Sequence, residues 1–424
     1  MLNMRYKTAS ELQYAAYRFS VAVHSIVWGV LVLFVGMQVL LPALNNVSPF
    51  GIWNDNGVFT ILDFPSIFNF TKFFWLDTLP PGISIYSVAN HLRVTSAWAE
   101  QDISHSLSFG YSPTMLWLLA PLVHFSHATA YCIFNSFGLA AIWWETHPDR
   151  CRFGIGLLSF LNALTIGCFG QGQTALLTAV GLLFLFELSR NGFERTVTWR
   201  TVVAGVVLWA LTAKPPLALT AGVVLLGLRQ WRPVLLAALF ALATTLAISP
   251  MLGPWWLVDY LHIITTHNGV QADPAFAFSH APQHMANLRG LLSVDFNLPD
   301  DIASRFSSYV WLAALACLTA IGPRLRLATG GFWSIGVLLY LLFCPHVSSF
   351  EVLQAVLLVL FCIPATVKKL GWKEQTLLFI VLLLPFTTPI ALDNRIILFS
   401  GLFFLLIFIA LLWRKRPENC AVTS

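Results

Sequence analysis

The sequence predicts an all-α polytopic membrane protein of about twelve transmembrane helices, because each of its apolar runs approaches the roughly 20 residues a helix needs to cross a bilayer core. Three observations carry this expectation. Of the 424 residues, 57% are hydrophobic and only 10% charged, and the mean hydropathy is +0.74. A soluble fold of this size needs more polar surface than that. Apolar runs recur from Phe19 to Trp413 with short polar breaks between them. Polarity does not alternate within the runs, Leu377 to Leu384 being an example, which sets aside an outer-membrane β-barrel.

The first run ends in Leu40-Leu41-Pro42-Ala43-Leu44 without a small-residue cleavage site, and it exceeds a signal-peptide core, so it reads as a retained first helix. Basic residues then set the topology. They cluster at Arg5, Lys7 and Arg18, at Arg150 and Arg152, at Arg190, Arg195 and Arg200, and at Arg229 and Arg232. Further clusters are Arg324 and Arg326, then Lys368, Lys369 and Lys373, then Arg414, Lys415 and Arg416. With these inside, only Lys72, Arg93, Lys214, Arg289, Arg305 and Arg395 of the 24 Lys and Arg face out, as the positive-inside rule requires. Scattered in this way, the basic residues form no stripe for nucleic acid. Both termini are then cytoplasmic. The chain is outside after its first helix and inside again at Arg150, so only one of the runs Thr114 to Phe125 and Ala128 to Trp144 can span. The former is short and carries Pro121 and His124, and is assigned to the outer interface. Residues 1–424 make one transmembrane domain, with a first outer loop over 45–127 that carries juxtamembrane helices and a second over 253–305. Long loops on one face are where function concentrates. The seven cysteines show no CxxC or metal-ligand spacing. No P-loop or GxGxxG module is present.

Several polar groups fall at the outer ends of apolar helices, where ionisable side chains are functional candidates. Gln171 and Gln173 interrupt two helices, Lys214 precedes Pro215-Pro216, and His346 and Glu351 flank another break. Each also has an ordinary role open to it: Lys214 snorkelling to the interface, the glutamines serving as turn residues, the loop histidines simply hydrogen-bonding. His280 and His284 lack a third nearby ligand and have Pro282 between them, so no metal site is expected. Asp63 lies in the apolar stretch Val58 to Phe68. A carboxylate in such surroundings suits a general base; the competing reading is a helix N-cap, a role that aspartate also favours.

Five patterns recur in order along the chain: Asp63-Phe64 followed by aromatics; Phe109-Gly110-Tyr111-Ser112-Pro113 leading into Leu118 to Leu122; Phe169-Gly170-Gln171-Gly172-Gln173-Thr174; Ala213-Lys214-Pro215-Pro216 with Arg229 to Arg232; and Asn287-Leu288-Arg289-Gly290. Taken together they give the chain a resemblance to glycosyltransferase family 87, the polyprenyl-phosphate-dependent, mannosyltransferase-like membrane enzymes of the GT-C superfamily. Cys344-Pro345-His346 to Phe350-Glu351 is a weaker sixth. The resemblance covers about 60 to 360, and the chain departs from the family's pattern at Ser112, Gln173 and the Phe350-Glu351 pair.

The resemblance implies a bacterial inner-membrane enzyme with its active site facing the periplasm or exterior. It would move a sugar, mannose first, from a polyprenyl phosphate to a lipid or cell-envelope glycan acceptor, with inversion and without a cofactor. Asp63 would be the base. Lys214, Arg289 and His346 would bind the donor phosphate, and Tyr111, Gln171, Gln173, His284 and Glu351 the sugar or acceptor. A flippase for lipid-linked glycans and an inactive assembly subunit are the competing classes.

Overall fold

The computed structural model of the protein describes residues 22, 51–53, 59–61, 63–76, 84–87, 90, 93–94, 109–126, 129–137, 174–190, 192–193, 196–267, 282, 285, 287–324, 329–347, 351 and 395–414. These residues are helical apart from one short antiparallel hairpin, β1 (Gly51–Trp53) with β2 (Phe59–Ile61), in which Trp53 pairs with Phe59. The hairpin is an addition to the all-α expectation. It leads into α1 (Asp63–Trp75), and α2 (Pro113–Leu119) runs on into a 3-10 turn, Ala120–Leu122. The bundle proper consists of α3 (Ala175–Ser189), α4 (Trp199–Leu211), α5 (Pro215–Gly227) and α6 (Trp231–Leu252). After α7 (Trp256–His267) and a helical turn at Leu288–Gly290 it continues with α8 (Asp300–Ile321), α9 (Thr329–Phe343) and α10 (Arg395–Arg414).

Among the described residues two helices, α6 and α8, have the length and composition to cross a membrane; at 1.5 Å per residue each runs about 33 Å. Their outer faces are apolar. Leu235, Leu239, Leu242 and Leu246 form an exposed stripe on α6, and Ile302, Phe306 and Leu312 lie exposed on α8. Water would penalise stripes of this kind; lipid does not. The run that begins at Thr114 is broken by Pro121 into a seven-residue helix and a turn, which is too short to span.

Side-chain ties show that the helices alternate in direction. Tyr111 reaches Thr174 at the start of α3. At the end of α3, Arg200 donates to the Leu188 carbonyl, Gln230 to the Ser189 carbonyl, and the Trp333 indole to the Ser189 hydroxyl. Ser307 near the start of α8 donates to the carbonyl of Phe343 at the end of α9, and Phe343 packs edge-on against Phe399 at the start of α10. The starts of α3, α5, α8 and α10 therefore share one end of the bundle with the finishes of α4, α6 and α9. At the opposite end lie Arg190, Arg200, Arg229, Arg232 and Arg324. At the first lie Lys214, Arg289 and Arg395. This is the division that the charge pattern anticipates.

Two apolar cores result. The bundle core is built on residues such as Leu182, Leu217, Val224, Trp333 and Leu338, all essentially inaccessible. A second, aromatic core caps the Lys214 end. There Phe68, Phe70 and Phe109 from the first loop meet Ala213, Ile248 and Leu252 from the bundle and Tyr260 from α7. Trp75 fastens this cap by donating to the Leu116 carbonyl at 2.8 Å.

Helix approach in the bundle core relies on glycine. A Cβ on Gly336 would run into the Val224 side chain, and one on Gly227 would lie 2.8 Å from the Phe332 ring, whereas one on Gly222 meets nothing nearer than 4.0 Å. Gly336→Ala is expected to lower the thermal stability of the detergent-solubilised protein. Gly222→Ala should leave it unchanged or raise it, since alanine favours a helix interior by about 1 kcal/mol over glycine. Melting followed by size-exclusion recovery checks the pair.

Candidate active site

The site is organised by the turn between α4 and α5. Thr212, Ala213 and Lys214 donate their N–H groups to the carbonyls of Trp209, Ala210 and Leu211 at 2.9, 3.1 and 2.9 Å, closing α4 with a tight turn. Lys214 precedes two prolines, and the clash with a following proline ring pushes a residue out of the helical region. Its φ of −114° and ψ of 89° follow, and α5 restarts at Pro215. The Phe109 to Pro113 segment docks on this turn. The Ser112 N–H donates to the Ala213 carbonyl at 3.2 Å, the Ser112 hydroxyl donates to the Thr212 carbonyl at 2.6 Å, and the Thr114 and Thr212 hydroxyls lie 2.8 Å apart. Two motifs separated by a hundred residues thus form one unit.

From this turn the Lys214 side chain reaches Glu351, Nζ to Oε1 at 2.6 Å, with side-chain exposures of 17% and 4% respectively. The second oxygen, Oε2, accepts from the Tyr340 hydroxyl at 2.9 Å. Removing either member of such a pair leaves the other charged and poorly solvated. The ammonium also lies 6.0 Å from the centroid of the Tyr111 ring, close enough for the ring's negative face to favour a cation. Tyr111 is in turn oriented by its hydroxyl, 3.1 Å from Thr174 Oγ1, and by the Tyr86 hydroxyl donating to its carbonyl at 3.2 Å. Burial, reinforced by neighbouring Tyr260, pushes the Tyr86 phenol well above its ordinary range, so Tyr86 remains a proton-bearing donor.

A second polar cluster adjoins the first through the turn after α9. Asn287 caps the Leu288–Gly290 turn, its Oδ1 accepting from Gly290 N–H at 3.0 Å while its Nδ2 donates to the Cys344 carbonyl at 2.7 Å. Arg289 is only 2% exposed. It forks onto Asp300, Nε to Oδ1 at 2.8 Å and Nη2 to Oδ2 at 2.6 Å, and Nη1 donates to the Pro345 carbonyl at 3.2 Å. Ser293 adds a hydroxyl to Asp300 Oδ1 at 3.0 Å. Segment 287–300 is in this way fastened to the turn that carries half-buried His346.

Of the residues singled out in the sequence, Lys214, Tyr111 and Glu351 are brought together, with Arg289 and His346 in the adjoining cluster. Asp63 is the first residue of α1, a position that favours a carboxylate. Gln171, Gln173 and His284 lie outside the described residues, although Thr174 places the end of the glutamine motif beside Tyr111. Four participants carried no expected role: Thr174 and Asn287, which stand within the family-like motifs, and Tyr340 and Asp300, which stand in none. The Pro299-Asp300-Asp301 helix start and the single phenol in the apolar run Phe332 to Phe343 are the signals that point to two of them. Among the described residues no group of three His, Cys, Asp or Glu has the disposition to hold a metal ion.

Apolar helices with lipid-suited outer faces and a cluster of polar groups at one end define a membrane protein. The chain belongs to glycosyltransferase family 87, whose family model matches residues 109–345, more than half its length, and it is therefore a glycosyltransferase. Neither a curated protein nor a solved structure matches it. The match opens on the Phe109 motif and closes at Pro345, so Asp63 and Glu351 lie beyond its two edges.

The Arg289–Asp300 pair is asymmetric, because Arg289 is buried while the Asp300 side chain is 35% exposed. Asp300→Asn leaves a buried guanidinium without its counter-charge and should cost about 3 kcal/mol or more. Arg289→Met leaves a carboxylate that water can reach and should cost less. Thermal melts of the two variants in one detergent check this order.

Proposed function

We propose that the protein transfers a sugar, mannose first among the candidates, from a polyprenyl phosphate to a lipid or cell-envelope glycan on the non-cytoplasmic face of a bacterial inner membrane. The observation that supports this reading most directly is the clustering of Lys214, Tyr111 and Glu351, with Arg289 and His346 alongside, at the end of the bundle away from the arginine clusters. A lipid donor reaches such a site from within the bilayer, and the tail needs only the apolar helix surfaces. Twelve spans with both termini inside agree with the alternating directions of α3 to α10, and the interfacial position of 113–122 with its short helix.

Chemically, an acceptor hydroxyl attacks the anomeric carbon from the face opposite the phosphate. The C–O bond to the polyprenyl phosphate breaks as the new one forms, so the configuration inverts. Asp63 takes the hydroxyl proton. The departing phosphate gathers negative charge, which Lys214 and His346 stabilise where water is excluded, while Arg289 contributes its charge from behind and holds the loop. Tyr111, Gln171, Gln173 and His284 bind sugar hydroxyls. A monophosphate leaving group requires no metal.

The test is a panel of polyprenyl phosphates bearing mannose, glucose, galactose or arabinose, offered to purified proteoliposomes with membrane lipid and glycan extract as acceptor. Consumption of one donor is expected; consumption of none removes the proposed transfer from these polyprenyl phosphates and gives weight to a flippase or an assembly subunit. With the active donor, Asp63→Asn should reduce transfer by about a hundredfold to ten-thousandfold at near wild-type stability. A stability loss in Asp63→Ala, with activity falling only in step with folded protein, marks a helix cap instead. Orientation is checked separately: Cys151 and Cys420 should be labelled from the cytoplasmic side and a cysteine placed at Ser279 from outside. Opposite labelling of Cys151 and Cys420 rules out the even number of spans.

A further inference from the structure

Lys214 and Glu351 differ in one respect that bears on how an anion enters. The lysine side chain is 17% exposed and the glutamate 4%, so only the cation can be approached. Glu351 also has a hold that does not involve Lys214, since Tyr340 donates to its Oε2 at 2.9 Å, and Tyr340 is itself buried. Lys214, by contrast, stands where helix α5 begins, the positive end of the helix dipole, which disfavours a cation and favours an anion beside it.

Building on the transferase reading, we propose that Glu351, held by Tyr340, is a resident counter-ion that a lipid monophosphate must displace or share Lys214 with, so that Lys214 is an anion-exchange site. The carboxylate has two consequences. In the unliganded protein it neutralises a lysine that would otherwise be charged in a dry cleft. Toward ligands it is a repulsive element, since a phosphate approaching Lys214 also approaches Glu351. A bare inorganic phosphate meets the same cation and the same repulsion without a tail to hold it there. A lipid phosphate is anchored by its tail in the apolar phase beside the helices, which holds its headgroup near Lys214 at high effective concentration and can overcome the repulsion. Glu351 thereby selects for phosphates that arrive attached to a lipid. Tyr340 keeps the carboxylate in place, so that it returns to Lys214 when the phosphate leaves.

The test measures binding of farnesyl phosphate and of inorganic phosphate to the full chain in detergent, without any transfer reaction. Glu351→Gln keeps the shape and one acceptor oxygen, puts an amide donor in place of the other, and removes the competing charge. It is expected to bind farnesyl phosphate about tenfold more tightly than wild type and to acquire measurable affinity for inorganic phosphate. Tyr340→Phe leaves the carboxylate with Lys214 as its remaining named partner and should weaken farnesyl phosphate binding severalfold. Lys214→Met alone strands Glu351 and can fail to fold; Lys214→Met combined with Glu351→Gln carries neither charge, should fold, and should bind neither ligand. If Glu351→Gln binds farnesyl phosphate as wild type does, or more weakly, Glu351 positions Lys214 and the exchange proposal is overturned. That outcome leaves transfer by the wild-type protein intact, whereas a failed donor panel with tighter binding in Glu351→Gln overturns only the proposed transfer.

Discussion

An ammonium group at the start of an apolar helix has little water to stabilise it, and the carboxylate of Glu351 makes Lys214 tolerable there. The consequences spread outward from that pair. Because the lysine is fixed by the proline that follows it and by the glutamate it meets, the α4–α5 turn is held against the segment beyond α9, and Tyr340 carries the tie into the last turn of that helix. The same turn presents the Thr212 and Ala213 carbonyls to Ser112, which brings Tyr111 over the ammonium and, through Tyr86 and Phe109, recruits the aromatic cap. One charge compensation thus aligns three parts of the chain that lie more than a hundred residues apart.

The division of labour between the two cores follows from the surroundings each meets. In the bundle, helix contacts are set by glycine and small side chains, because lipid supplies no hydrophobic drive and close van der Waals approach must supply the cohesion. At the polar end the first-loop segments are too short to bury themselves. They are held by aromatic edges and by indole donors, Trp75 to Leu116 and Trp117 to the Thr244 carbonyl. Indoles fill both needs, since each offers a large apolar body and one donor that can satisfy a helix carbonyl.

Much of this was legible in the sequence, for identifiable reasons. Charge segregation is a global signal, so the sorting of Lys214, Arg289 and Arg395 to one end and of Arg190, Arg229 and Arg324 to the other could be read before any coordinates. Helix breaks at Ala213-Lys214-Pro215 and Cys344-Pro345 are written in proline, whose steric rule is local. The partners were less accessible. That Glu351 faces Lys214, or that Arg289 takes Asp300, depends on how helices distant in sequence pack, and neither composition nor periodicity encodes it. The hairpin at 51–61 was missed although Asn56-Gly57 between Trp53 and Phe59 is a strong turn signal; the surrounding apolar pattern drew attention to helices instead.

The far end of α3 has a bearing on how the molecule is made. Its last residues are fastened by Arg200, twelve residues from Leu188, by Gln230, 41 residues from Ser189, and by Trp333, 144 residues from Ser189. At a synthesis rate of about 5–20 residues per second, the first tie can close almost as soon as α4 is complete, while the last must wait roughly 7 to 30 s for α9 to leave the ribosome. In the folded chain the Ser189 hydroxyl donates to the Phe186 carbonyl at 2.8 Å while it accepts from the indole, and the first of these bonds lies within α3 and needs no later helix.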